Sequence, residues 1–135
     1  SFKQEILVEG HNFTNGTDQF KLALYTSSAS LGASTTAYSA TNEISNTSGS
    51  AYSAGGANLT SVTPVLDGST AVCDFADISF TSASFTANGC LIYNSTNSNK
   101  AVCVVAFGGD KTVSSGTFTI QFPAAGASTA IVRIA

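Results

Sequence analysis

Apolar and polar positions alternate with a period of two along most of this chain. In "GTFTIQF", Phe118, Ile120 and Phe122 share one face, with Thr117, Thr119 and Gln121 on the other; "QFKLALY" places Phe20, Leu22 and Leu24 together in the same way. Successive strand side chains point to opposite sides of a sheet, so the pattern predicts half-buried antiparallel strands. "STAIVRIA" sets Ala130, Val132 and Ile134 against Thr129 and Arg133, although Ile131 interrupts its polar face. "KAVCVVAF" is apolar on both faces and reads as a central strand covered from two sides. The opening "SFKQEILVEG" alternates charged with apolar side chains and reads as a first strand.

The resulting strands are 3–9, 19–25, 57–66, 70–75, 77–86, 88–94, 100–107, 116–122 and 128–134. Turn signals lie between them: "NFTNGTD", "LDGS", "NSTNSN", "GGDK" and "PAAGA". The apolar phase slips by one residue between Phe75 and Ile78, which predicts a bulge near Ala76. No window shows a sustained helical spacing with caps. Short strands at this density predict an all-β chain folded as a single antiparallel β-sandwich over 1–135, jelly-roll-like in topology.

One segment departs from the pattern. Residues 26–56 are Ser, Thr, Ala and Gly with hardly a charge, and Leu31, Tyr38, Ile44 and Tyr52 stand in them as isolated large side chains. So long a stretch without regular structure in a small domain calls for a role of its own. The reading is an extended loop or arm.

Composition narrows the function classes. Charged residues are 10% of the 135, against about 25% in ordinary soluble domains. The net charge is −3, and the only cations are Lys3, Lys21, Lys100, Lys111 and Arg133. Such a surface neutralises few phosphates, which argues against nucleic acid as a partner. No apolar run is long enough to cross a membrane as a helix, and the few cations argue against a membrane surface. A weakly charged, hydroxyl-rich surface also repels its own copies weakly, as suits a protein packed among them or against a shell.

Candidate chemistry is sparse. His11 lies in the turn "EGHNFTNG" with no nucleophile elbow in the chain, and reads as a loop histidine. Asp74 and Asp77 in "CDFADIS" invite an acid–base pair or a Ca²⁺ site, but three residues apart on a strand they point to opposite faces. "LDGST" and "FGGDK" read as turns. N-x-S/T sequons at Asn12, Asn15, Asn46, Asn58 and Asn94 are close to what this Ser/Thr content yields by chance. The tyrosines at 25, 38, 52 and 93 are spread too far along the chain for a sugar-stacking platform and read as packing edges. Cys73, Cys90 and Cys103 match no zinc spacing. If the turn pairs Asn94 with Asn99, Cys90 falls opposite Cys103 and a cross-strand bond is open to it; the preferred reading is three buried free thiols in a reducing cytoplasm. No catalytic residue, cofactor or metal is expected.

Six motifs in order, "DQFKLALY", "TNE", "YSAGG", "DFAD", "ANGCLIYN" and "FGGDK", resemble a group of small virion proteins of tailed bacteriophages, over about residues 16–134. Ala106 stands where that pattern carries an Asp. The resemblance implies a structural protein of the virion. Combined with the low charge, it gives the expectation of a capsid decoration, or cement, protein assembled in the host cytoplasm. Its partners are then the major capsid protein and copies of itself, as a trimer or dimer on the capsid exterior. In that reading the 26–56 arm lies across a neighbour through Leu31, Tyr38, Glu43, Ile44 and Tyr52. Deleting residues 30–50 is then expected to leave a folded domain that no longer binds. The alternatives are a tail, fibre or connector module, and a carbohydrate- or receptor-binding sandwich using Asp74, Asp77 and a tyrosine.

Overall fold

A computed structural model of the chain describes residues 1–45 and 51–135. Its elements are α1 (Phe2–Leu7), β1 (Phe20–Tyr25), β2 (Ala57–Asn58), β3 (Ser61–Asp67), β4 (Thr70–Phe75), β5 (Ile78–Asn94), β6 (Lys100–Ile120) and β7 (Val132–Ile134). They form two antiparallel sheets, ordered β2-β1-β5-β6 and β3-β4-β7, in a sandwich-like all-β fold. The chain passes from the larger sheet to the smaller between Asn58 and Ser61, and returns between Phe75 and Ile78. Backbone bonds brace both corners: Leu59 N donates to Phe20 O at 2.8 Å, and Ala76 N to Thr60 O at 2.9 Å. The phase slip near Ala76 is therefore a change of sheet rather than a bulge. The expected strand 57–66 is likewise divided between the two sheets.

The main core fills the space between the sheets. Phe20, Leu22 and Leu24 of β1 face it, as do Cys73 and Phe75 of β4 and Phe80 and Phe85 of β5. Phe13 and Phe20 stack with ring centroids 4.5 Å apart, and Phe20 and Phe75 follow at 5.6 Å. Register and side-chain alternation agree: Leu22 pairs with Ile92 and Leu24 with Cys90 on the core side, while Ala23 pairs with Leu91 on the opposite side. That opposite side is also buried. Ala23, Tyr25, Leu91, Tyr93 and Ala101 form a second apolar cluster. The half-buried reading of β1 thus understates its burial.

Several predicted strands merge or change. Residues 78–94 form one strand, β5, and 100–120 form another, β6, with bulged registers. "GGDK" is no hairpin turn: Ala87 pairs with Lys111 and Gly89 with Ala106, so Phe107–Asp110 bulge opposite Asn88. β6 is also an edge strand, not a central one. It is apolar on both faces because Val102 joins the main core while Ala101 and Val104 serve the second cluster.

The first strand, expected at 3–9, is instead the short helix α1. Its face made by Phe2, Glu5 and Ile6 follows helical spacing, with Phe2 packed against His11 at 5.2 Å and Phe13 at 6.3 Å. Gly10 closes the helix by donating its N–H to Glu5 O at 2.6 Å. A Cβ on Gly10 would lie 2.7 Å from that oxygen, which explains the glycine.

Candidate functional site

Residues 26–45 and 51–56 fold over the chain's own body. Thr26 N donates to Asn42 O and Ile44 N to Leu24 O, both at 3.0 Å, returning the chain to the end of β1. Midway, Tyr38 N donates to Asn99 O and Ala101 N to Thr36 O, both at 2.9 Å, so residues 36–38 make a strand-like contact on β6. The Tyr38 ring then stacks on Tyr93 at 4.7 Å, and Leu31 packs beside it on the second cluster. Ile44 and Tyr52 are buried in the main core.

Glu43 fastens this cover. Its carboxylate accepts Tyr38 Oη–H at 2.6 Å, Tyr52 Oη–H at 2.5 Å and the Gly55 N–H at 2.8 Å. Tyr52 Oη in turn accepts Leu24 N–H at 2.9 Å. Tyr25 donates to Ser39 O and Tyr93 to Gly55 O, both at 2.6 Å. A buried carboxylate is tolerable only with such donors. Burial, with the Glu43 charge behind it, pushes the Tyr25 phenol up to about 12. Burial and then the hydrogen bond to Glu43 drive the Tyr38 and Tyr52 phenols upward too, and burial followed by the Glu43 charge raises Tyr93. All four are held as neutral donors.

The expected arm anchors are therefore brought together, but on the chain itself. Glu43, Ile44 and Tyr52 are at most 8% exposed and face inward in this fold. Deleting 30–50 would remove Tyr38, Glu43 and Ile44 and uncover the second cluster, so a folded remainder is no longer expected. Residues 46–50, with the Asn46 sequon, lie outside the described residues. Sequence reasoning passed over Tyr25 and Tyr93 as parts of this cluster. Their signal was an aromatic residue on the nominally polar face of each strand.

A second polar cluster joins the N-terminal region to the β5–β6 turn. The His11 side chain is fully buried; Nε2 lies 3.1 Å from Glu5 Oε2, and Nδ1 lies 3.3 Å from Asn94 Nδ2. Asn94 Oδ1 accepts Thr96 N–H and Asn97 N–H, both at 3.1 Å, so its Nδ2 is the donor. Nδ1 of His11 is then the acceptor, and Nε2–H donates to Glu5. Asn94 Nδ2 also donates to Asp18 Oδ2 at 2.6 Å. The expected loop histidine is a buried tie between α1 and the sheet. Buried Asn94 is no exposed sequon either. The turn pairs Asn94 with Lys100, and a bulge between Ile92 and Tyr93 then sets Ile92 against Cys103 and Cys90 against Val105. Cys90 and Cys103 are not opposite one another, and all three cysteines are free thiols. Burial pushes Cys73 and Cys103 up to about 11 and Cys90 up to about 12, which keeps them as unreactive thiols at neutral pH.

Asp74 and Asp77 do not form an exposed pair. Asp74 is 2% exposed, with Oδ1 accepting Phe75 N–H at 2.8 Å and Oδ2 without a hydrogen-bond partner among the described residues. Burial raises its pKa above the usual carboxylate range, with the Asp77 charge adding to the effect. Asp77 accepts Phe122 N–H at 2.8 Å. Among the described residues no three His, Cys, Asp or Glu side chains gather as a metal site, and no helix is long and apolar enough to cross a membrane.

What remains open is surface. On the smaller sheet Val62, Val65, Leu66 and Ile134 are 41 to 74% exposed. On the larger sheet a groove of about 560 Å³ runs along β6 between α1 and the 31–35 turn. The chain matches no family model, no curated protein and no solved structure. The surfaces themselves must carry the functional argument.

Proposed function

We propose that this protein is a structural component of a tailed-bacteriophage virion, and within it a capsid decoration protein. In this reading it binds the lattice of the major capsid protein, and copies of itself, on the exterior of the head. The observation that carries the reading is the exposure of four apolar side chains on the smaller sheet, Val62 and Val65 on one face and Leu66 and Ile134 on the other, in a chain with so few charges. A surface of this kind loses little charge hydration on docking and gains by covering its apolar side chains. The sequence resemblance supplies the virion. The cover over the larger sheet moves the docking role from the 26–56 arm to the smaller sheet.

The mechanism is mechanical. Each contact is weak, and many contacts on one lattice make attachment lasting. No bond is made or broken. Cryo-EM of the intact particle tests the reading, with density for this chain expected at every equivalent lattice position of the head. The few copies that a tail, fibre or connector holds would replace the decoration reading with that one. Absence from the particle would remove both.

A further inference from the structure

We propose that the tip of the β3–β4 hairpin of one copy seats in the groove beside β6 of the next, as the contact by which the protein self-associates. This rests on the reading of the chain as an assembling subunit.

The receiving side is an interrupted sheet edge. Residues 36–38 occupy the outer edge of β6 as far as Ala101 through two backbone hydrogen bonds. A turn then leads the chain away, with Thr35 N donating to Gly32 O and Gly32 N to Thr35 Oγ1, both at 3.0 Å. Beyond Ala101 the edge of β6 forms the floor of the groove, walled by Phe2 and Lys3 on one side and Leu31 and Ala33 on the other. An open strand edge accepts a further extended segment through its main chain.

The hairpin tip has the matching features. β3 is itself an edge strand, and Val65 and Leu66 are 54 and 74% exposed at its end. Asp67 pairs with Thr70 to close the turn, and its Oδ2 accepts Ala127 N–H at 2.7 Å, which fixes the tip. Pro64 and the register shift between Val62 and Val65 confine new strand pairing to the tip. Charge selects the same partner. Lys3 has the single charged side chain lining the groove, and Asp67 the single charged side chain from Ser61 to Thr70. The two surfaces are different patches, so the contact is head-to-tail and closes as a ring or continues as a filament.

Disulfide trapping in a Cys103→Ala background tests the contact. Oxidising a mixture of Ala33→Cys and Leu66→Cys proteins is expected to give a cross-linked pair that neither variant gives alone. Leu66→Lys, at an exposed position, is expected to keep the thermal transition and weaken self-association by about tenfold or more in analytical ultracentrifugation. Cross-linking of Leu66→Cys with itself would overturn the proposal in favour of a symmetric contact, and a wild-type protein that stays monomeric at all concentrations would overturn it outright. Self-association without binding to phage heads would uphold the contact and remove the virion reading; binding to heads by a strict monomer would do the reverse.

Discussion

The ring of Tyr38 lies on that of Tyr93 with centroids 4.7 Å apart and planes inclined by 22°. One residue belongs to the irregular segment and the other to β5, so this contact joins the cover to the sheet. The Tyr38 hydroxyl continues to Glu43, and Glu43 to Tyr52 and Gly55. A single carboxylate thereby ties Tyr38 to the stretch that carries Tyr52 and Gly55.

Glu43→Ala is expected to lower the unfolding free energy by about 3 kcal/mol, because it leaves buried donors without an acceptor. Glu43→Gln, which keeps one acceptor oxygen and the side-chain volume, should cost less. Urea denaturation of both variants measures this. A loss below about 1 kcal/mol for Glu43→Ala would show that the carboxylate is incidental to the cover.

Gly56 combines a φ of +77° with a position where a Cβ would lie 1.9 Å from Leu22 O. Gly56→Ala should therefore cost more than about 3 kcal/mol or abolish folding. Gly16 has a similar φ of +84° but open space around it. Gly16→Ala should cost only about 1 kcal/mol, the backbone strain alone. Equal losses at the two sites, read from thermal melts, would contradict the close approach of the Gly56 turn to β1.

Asp74 predicts a dependence on pH. Its carboxyl is raised above the unfolded value by burial, so the folded state holds its proton to higher pH than the unfolded state. The favourable contribution is fully present below the unfolded pKa of about 3.9 and is lost as the pH rises through the folded pKa. Relative to Asp74→Asn, the wild type should gain stability as the pH is lowered from neutrality into that range. A stability difference that stays constant with pH would show that Asp74 carries no such penalty.

The two-residue period was enough to reveal an all-β chain, because alternation across a pleated strand is a local property. It placed β1 and β4 within a residue of their bounds and put Phe20, Leu22 and Leu24 on the core side. It misread α1, whose six residues are too few to display a helical period, and whose helix is stabilised by Phe2 docking on Phe13. It also divided β5 and β6 at bulges that interrupt the alternation without ending the strands. The anchors of the 26–56 segment were visible as large side chains in a small-residue stretch. Where they insert was not, since Leu91, Tyr93 and Ala101 lie far from them along the chain.

By itself, the order of residues determined the fold class, the placement of turns at "LDGS" and "NSTNSN", and a surface with little charge to offer. Each of these follows from neighbours along the chain. Tertiary structure alone decided that the irregular segment covers its own sheet, that His11 is buried between Glu5 and Asn94, and that Cys90 misses Cys103. These depend on long-range register and on which face each sheet turns inward, and a one-residue shift in pairing reverses both.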